Sequence, residues 1–322
     1  MKCLSLVLLL FTFISCRKEA EPDNKMETIK YIERASGELK TENVPSDGML
    51  KWLYSSATGK AALHLLFKRK IVSAIGGWYM NTPYSARRIN DFVNEHQIDK
   101  KEFEIEDLSK FKSFNDFFYR KLKPSARKIG NQLVSPADGK ILVFPTLNDV
   151  ANFFVKGSEF TLQNFLHDKK LASKYNDGAM AIIRLAPPDY HRYHFPASGI
   201  ASESVKINGH YFSVSPLALQ KSLKIFCENK REHCTLSTED YGDILIVDVG
   251  ATMVGSIIQT YKTGSKVNKG DEKGYFAFGG STLVLLFEKG NISFDDDLIE
   301  NTKKGMETTV NMGEDIAVAL NE

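Results

Sequence analysis

The sequence predicts an α+β protein: an N-terminal helical region with a membrane-facing side, followed by a β-rich domain. Three observations carry this. The 322-residue chain is 43% hydrophobic and 25% charged, which suits a protein with a sizeable core. Up to about residue 128, apolar residues interleave with Lys and Arg, as in MLKWLYSSATGKAALHLLFKRKIVSAIGGWYM. After that point short β-branched runs alternate with Gly, Pro and Asp turns.

Residues 1–16, MKCLSLVLLLFTFISC, place one Lys before an apolar run. The run is too short to span a bilayer but matches the apolar part of a secretory signal. It ends in FISC, close to a bacterial lipoprotein signal with Cys16 as the lipid acceptor; Phe13 stands where Leu is usual. The plainer alternative is an uncleaved apolar anchor. Residues 17–30 read as a polar tether.

Residues 31–128 are expected to be mainly helical. Leu53, Leu63, Leu65, Leu66, Phe67, Ile71 and Val72 supply an apolar face, and Lys68, Arg69 and Lys70 a basic one. Such a helix lies in a membrane interface or packs on the rest of the protein, and both readings stay open. A second helix is expected over RRINDFVNEHQIDKKEFE, and a short one in FKSFNDFFYRKLKPSARKI, ending near Pro124. Residues 129–322 carry the strand signals KILVFP (140–145), AMAIIRL (179–185), DILIVDV (243–249), TMVGSII (252–258) and STLVLLF (281–287), at roughly sandwich spacing.

The net charge of +2 points to no strongly charged partner, and the chain has no nucleic-acid signature and no internal repeat. Of four cysteines, Cys3 and Cys16 lie in the leader. Cys227 and Cys234 have no zinc spacing, so no metal is expected; they are close enough in sequence for a disulfide if the body is exported.

Chemistry concentrates in SPADGK (135–140), PPDYHRYHFPASG (187–199) and KGDEKGYFAFGGST (269–282). His191 and His194 would need a third ligand to hold a metal; otherwise they cap a loop or move protons. Asp138 sits before Gly139, a turn dipeptide first of all, although a buried Asp also orients an imidazole. Gly279 and Gly280 precede Ser281, where they make a turn or let the hydroxyl reach its own peptide bond. Ser281, a histidine of HRYH and Asp138 would make a Ser–His–Asp set if they meet in space.

Together these clusters resemble the phosphatidylserine decarboxylase family of proenzymes. The likeness runs from about residue 27 to 290. It rests on FNDFFYRKLKPSAR (114–127), SPADGKI (135–141), KGSEFTLQNFL (156–166), LAPPDYHRYHFPASG (185–199), VGATMVGSI (249–257) and KGDEKGYFAFGGST (269–282), in the family's order. The resemblance implies self-cleavage between Gly280 and Ser281. Ser281 becomes a pyruvoyl group, the only cofactor, and the two cleaved chains stay together as a heterodimer. It implies that the β-rich domain is catalytic, with His194 as general base of cleavage, Asp138 orienting it, and His191 near the substrate carboxylate and the protonation step. The implied partner is phosphatidylserine in a membrane, decarboxylated to phosphatidylethanolamine. The implied location is membrane-associated, lipid-anchored through Cys16 or else peripheral at the inner membrane. Asp271 stands where the family more often has Glu, and Ser215 where it often has Asn.

Three rivals remain at this level. One is a serine hydrolase with an uncut Ser281/His194/Asp138 triad, although no GxSxG elbow is present. Another is a non-catalytic surface lipoprotein. The last is a pyruvoyl decarboxylase acting on another amino-acid substrate.

Overall fold

Four of the five apolar runs that the sequence marks as strands, KILVFP, AMAIIRL, DILIVDV and STLVLLF, become the middle of one large sheet. A computed structural model describes residues 30–42, 76–153, 161–210, 227–250 and 256–320. Eight strands frame the site: β1 (Gly139–Phe144), β2 (Ala179–Leu185), β3 (Arg192–His194), β4 (Arg231–Ser237), β5 (Asp243–Gly250), β6 (Glu272–Phe276), β7 (Ser281–Phe287) and β8 (Glu307–Val310). Among the described residues the large sheet has 11 strands, with β4-β5-β7-β2-β1-β8 consecutive at its centre. β3 and β6 belong to a separate three-stranded sheet. A further one joins Leu133–Val134 to Asp315–Ala319 and Ile292–Phe294. Residues 252–255 of the TMVGSII signal lie outside the described residues; its last two residues open a strand of the small sheet that holds β3 and β6.

Strands β2 and β7 are buried at every position. An antiparallel strand with one wet face would alternate apolar and polar residues. They are apolar at nearly every position because both faces are covered, the exceptions being Arg184 in β2 and the Ser281-Thr282 start of β7. Leu283 to Phe287 are each no more than 2% exposed, and each such side chain contributes about 1.5–3 kcal/mol relative to exposure.

Residues 30–41 depart from expectation. In place of the end of a tether and the start of a helical region, Lys30–Ile32 and Leu39–Thr41 form strands that extend the large sheet beyond β8. An electrostatic contact accompanies this pairing. Arg184 on β2 is only 4% exposed and takes one carboxylate from Glu307 (2.5 Å) and a second from Glu42 (2.6 Å). A buried guanidinium without such partners would be costly.

From residue 76 to 126 the chain is a layer of short helices and turns. Helix α1 (Ile89–Glu95) stops much earlier than its sequence suggests. Gln97 turns left-handed (φ 53°), and the Asp99 side chain accepts from the Lys101 amide, starting a separate turn. Helix α2 (Phe114–Phe118) is capped by Ser113, whose hydroxyl accepts from the Asp116 amide. This layer has its own aromatic core of Met80, Ile89, Val93, Phe103, Phe111, Phe114, Phe117 and Phe118, with Phe278 packed against it. Among the described residues no helix is long and apolar enough to cross a membrane. The leader with Cys16, the tether up to residue 29, the basic apolar stretch 52–75 and Ser215 lie outside the described residues.

Candidate active site

Ser281 opens β7 and is fully buried. It stands in register between Gly250 of β5 and Leu185 of β2. Two residues earlier, Gly279 has φ +142°, a conformation that glycine reaches and side chains resist. The chain therefore enters β7 through a bend that only a glycine makes at low cost.

The loop after β2 brings the histidine. In the turn Ala186-Pro187-Pro188-Asp189, the Asp189 amide donates to the Ala186 carbonyl (2.9 Å). The Asp189 carboxylate accepts from the Ala186 amide (2.7 Å). The same Ala186 carbonyl lies 3.0 Å from Nε2 of His191. A carbonyl only accepts, so Nε2 carries the hydrogen and Nδ1 is left as an acceptor. Nδ1 faces Ser281 Oγ at 3.2 Å. Phe118 of α2 stacks on the other face of the imidazole, centroids 3.8 Å apart. Burial, followed by the charge of Arg120, pushes His191 down to about 3. The ring is neutral and its free lone pair points at the serine hydroxyl.

The backbone shows why the three sequence clusters converge. The Phe276 amide donates to the His191 carbonyl (3.0 Å), tying β6 to the HRYH segment. The His194 amide donates to the Pro136 carbonyl (2.8 Å), tying HRYH to SPADGK. Gly139 follows Asp138 as the first residue of β1 rather than as a left-handed turn residue. A side chain there would meet the Arg184 carbonyl oxygen at 2.6 Å, so close packing is what requires glycine.

The predicted pairing within the set differs from the observed one. His194, expected on Ser281, donates through Nδ1 to the Gly270 carbonyl (2.9 Å) and meets the Tyr190 hydroxyl through Nε2 (3.2 Å). Burial lowers its pKa, with the Gly270 carbonyl, Glu272 and Asp138 working in the opposite direction. Asp138, expected on His194, is gripped by Arg127 through Nε (2.9 Å) and Nη2 (2.5 Å), and accepts from the Met312 amide (2.8 Å). The reason is local. A guanidinium fork fits a carboxylate better than one imidazole N–H, and Arg127 arrives from the turn Pro124–Ala126 just upstream. The histidine in contact with Ser281 is His191.

Sequence reasoning missed Arg127, Tyr190, Asp189 and Arg120. Only Asp189 had a readable signal, a turn-forming Asp after two prolines. Arg120 is 4% exposed and lies over the rings of Phe103 and Phe117. Its Nη2 donates to the Pro188 carbonyl (3.0 Å), while Nε and Nη1 have no hydrogen-bond partner among the described residues. Thr282 Oγ1, beside Ser281, is likewise buried and without a partner among the described residues. A cavity of about 180 Å³ adjoins Arg120, lined also by Lys121, Arg192, Glu104 and Asp116. Cys227 and Cys234 are not joined in a disulfide.

Comparison with known proteins fits this geometry. The family model for phosphatidylserine decarboxylase matches residues 114–318, the span that holds α2, the HRYH loop and Ser281. The chain belongs to the phosphatidylserine decarboxylase family. Three curated relatives carry the name phosphatidylserine decarboxylase proenzyme. The one from Fusobacterium nucleatum is 55% identical over 293 residues, covering 89% of this chain and 97% of its own. The one from Clostridium novyi is 48% identical, covering 91% of this chain and 100% of its own. The one from Desulfitobacterium hafniense is 46% identical, covering 90% and 98%. Likeness to this family therefore extends upstream of the matched model, through the aromatic layer.

Proposed function

We propose that this chain is a proenzyme that cuts itself between Gly280 and Ser281 and then decarboxylates phosphatidylserine to phosphatidylethanolamine. The observation that carries the reading is the 3.2 Å contact between a neutral His191 Nδ1 and the buried Ser281 Oγ, in a chain of this family.

Ser281 Oγ attacks the Gly280 carbonyl carbon while His191 Nδ1 takes the hydroxyl proton. The peptide nitrogen leaves with a proton, and the chain is joined through an ester, with a free amine at Ser281. Loss of the Ser281 Cα proton then expels the Gly280 carboxylate and leaves dehydroalanine. Its imine form takes up water, releases ammonia and becomes a pyruvoyl group.

The surroundings fit so small a group. Ser281 is enclosed, and Thr282 Oγ1, Arg120 Nε and Arg120 Nη1 are buried polar atoms without partners among the described residues. The pyruvoyl ketone would supply the electron sink that decarboxylation needs. His191 would hold a proton at Nδ1 beside the reacting carbon, and Arg120 would attract the substrate's negative groups. Asp138 with Arg127, and His194 with Tyr190, would set the field around His191. A second reading keeps His194 as the base of cleavage with Asp138 behind it, because His194 lies within reach of the Asp138 charge. Variants of the two histidines separate these readings.

We further propose the division into leader 1–16, tether from residue 17, helical N-terminal region to residue 128 and catalytic domain 129–322, with residues 30–41 added to that domain's sheet. The two cleaved chains would stay associated through β7. The N-terminal layer would face the membrane. In support, Trp78 is 70% and Tyr84 60% exposed, and Arg87 lies 4.7 Å over the Tyr84 ring. Aromatic rings beside cationic groups suit a membrane interface. Cys16 would carry a lipid anchor, or the enzyme would otherwise be peripheral at the inner membrane.

Intact mass under denaturing conditions tests the central claim. The expected product is a fragment spanning 281–322, or 322 − 280 = 42 residues, lighter by one ammonia than its plain serine form. The Ser281→Ala protein should remain one chain without activity. A single uncut wild-type chain that reacts with a serine-directed phosphonate would favour the hydrolase instead.

A further inference from the structure

Phe278, three residues before Ser281, is held from outside the large sheet. Asn115 of α2 is 2% exposed. Its Oδ1 accepts the Phe278 amide at 2.7 Å, and its Nδ2 donates to Asn81 Oδ1 at 2.9 Å. An N–H can only be met by the amide oxygen, so these two bonds fix which way the Asn115 amide points. The Phe278 ring packs edge-on against Phe114 (5.3 Å) and Phe118 (5.1 Å). Phe118 is also the ring stacked on His191. One five-residue helix thus touches the base on one side and the segment carrying the attacked carbonyl on the other.

Between Phe278 and Ser281 stand only Gly279 and Gly280, which have no side chains to fix themselves. Glycines lose more conformational freedom on ordering than any other residue. Attack needs the reacting atoms about 3–3.5 Å apart and aligned. An anchor at Phe278 is therefore what sets where the Gly280 carbonyl sits relative to Ser281 Oγ. We propose that Asn115 is a positioning residue for self-cleavage, and that the aromatic layer of residues 76–126 is required for maturation through this clamp. The inference rests on the cleavage reading above.

Conversion of the freshly translated full chain, followed by denaturing gel and intact mass, tests it. Asn115→Leu keeps the volume and removes the acceptor; conversion should slow about 10- to 100-fold, the scale of a misplacement near 1 Å. Asn115→Asp restores an acceptor for the Phe278 amide and should recover most of the rate, which a mere packing role would not give. Hydroxylamine, which cuts an ester but not an amide, should leave Asn115→Leu slow, placing the defect in ester formation. Asn81→Ala, at an exposed position, frees the Asn115 amide to turn and should slow conversion by a smaller factor, even if Asn115→Leu fails to fold. Wild-type conversion by Asn81→Ala together with either a wild-type rate or misfolding of Asn115→Leu overturns the clamp. If the wild-type chain is not cut before Ser281, the cleavage reading falls, and the clamp with it.

Discussion

The two sides of the Gly280–Ser281 bond are built differently. On the C-terminal side β7 is paired on both edges, with β5 and β2, and buried along its length. On the N-terminal side two glycines connect Phe278 to the strand, and a single side-chain hydrogen bond with two ring contacts holds Phe278. A strand fixed by many backbone bonds keeps its place after its first peptide bond is cut. Beyond the backbone bonds of Phe276 to His191 and of Ala277 to Ser256, among the described residues only one amide and two rings fix the last residues before the bond, which can be placed for attack and later shift away from the new group. The fold thus gives permanence to the half that keeps Ser281 and adjustability to the half that ends at Gly280.

The largest effects should come from the group that faces the bond. His191→Ala removes the acceptor 3.2 Å from Ser281 Oγ and should slow self-cleavage about 10²- to 10⁴-fold, the usual worth of a placed base. His194→Ala leaves Ser281 with its acceptor and should slow cleavage less. Gel-followed conversion of both variants decides. If His194→Ala stops conversion while His191→Ala is cut normally, the base is His194 and the two rings exchange places before attack.

The rigid side can be weakened without touching the chemistry. Leu285 is fully buried in the middle of β7. Leu285→Ala should cost about 2–5 kcal/mol of stability, as large-to-small core changes do, measured by denaturant unfolding of the Ser281→Ala background so that a single chain is compared. In the chain able to cut itself, the cleavage rate should change little, because Ser281 keeps its pairing with Gly250 and Leu185. A large loss of rate at unchanged stability would mean that the strand tunes the attack itself.

This asymmetry also marks what the sequence could reveal. AMAIIRL and STLVLLF announce themselves because strands buried on both faces are mostly apolar, and their observed bounds match the runs. The three chemical clusters were visible because Gly, Pro, Asp and His in such density have few structural uses. Partner choice among them was not legible. Whether Asp138 meets His194 or Arg127 depends on a guanidinium 11 residues away in sequence, and no periodicity encodes that. The strands at 30–41 were hidden for a similar reason. They are short, and their place depends on Glu42 reaching Arg184, a contact between residues 142 apart.

Near neutral pH the smallest effect is that of pH itself. A histidine in an unfolded chain titrates near 6.5, whereas burial, then the Arg120 charge, hold native His191 at about 3. Between those values the unfolded chain binds a proton that the native chain refuses. Stability therefore rises with pH across that window and is lost as pH falls from about 6.5 toward 3. For one such group the slope approaches at most about 1.4 kcal/mol per pH unit. Thermal unfolding of uncut Ser281→Ala against pH should show this acid sensitivity, and adding His191→Gln should flatten it. His194 and His233 are also lowered by burial, so only the difference between the two proteins isolates His191. The cleavage rate should behave otherwise: a base already neutral at pH 5 loses nothing between pH 8 and 5. A rate that falls with a midpoint near 6.5 would place a different, more exposed imidazole in charge of the bond and remove His191 from the role its contact with Ser281 gives it.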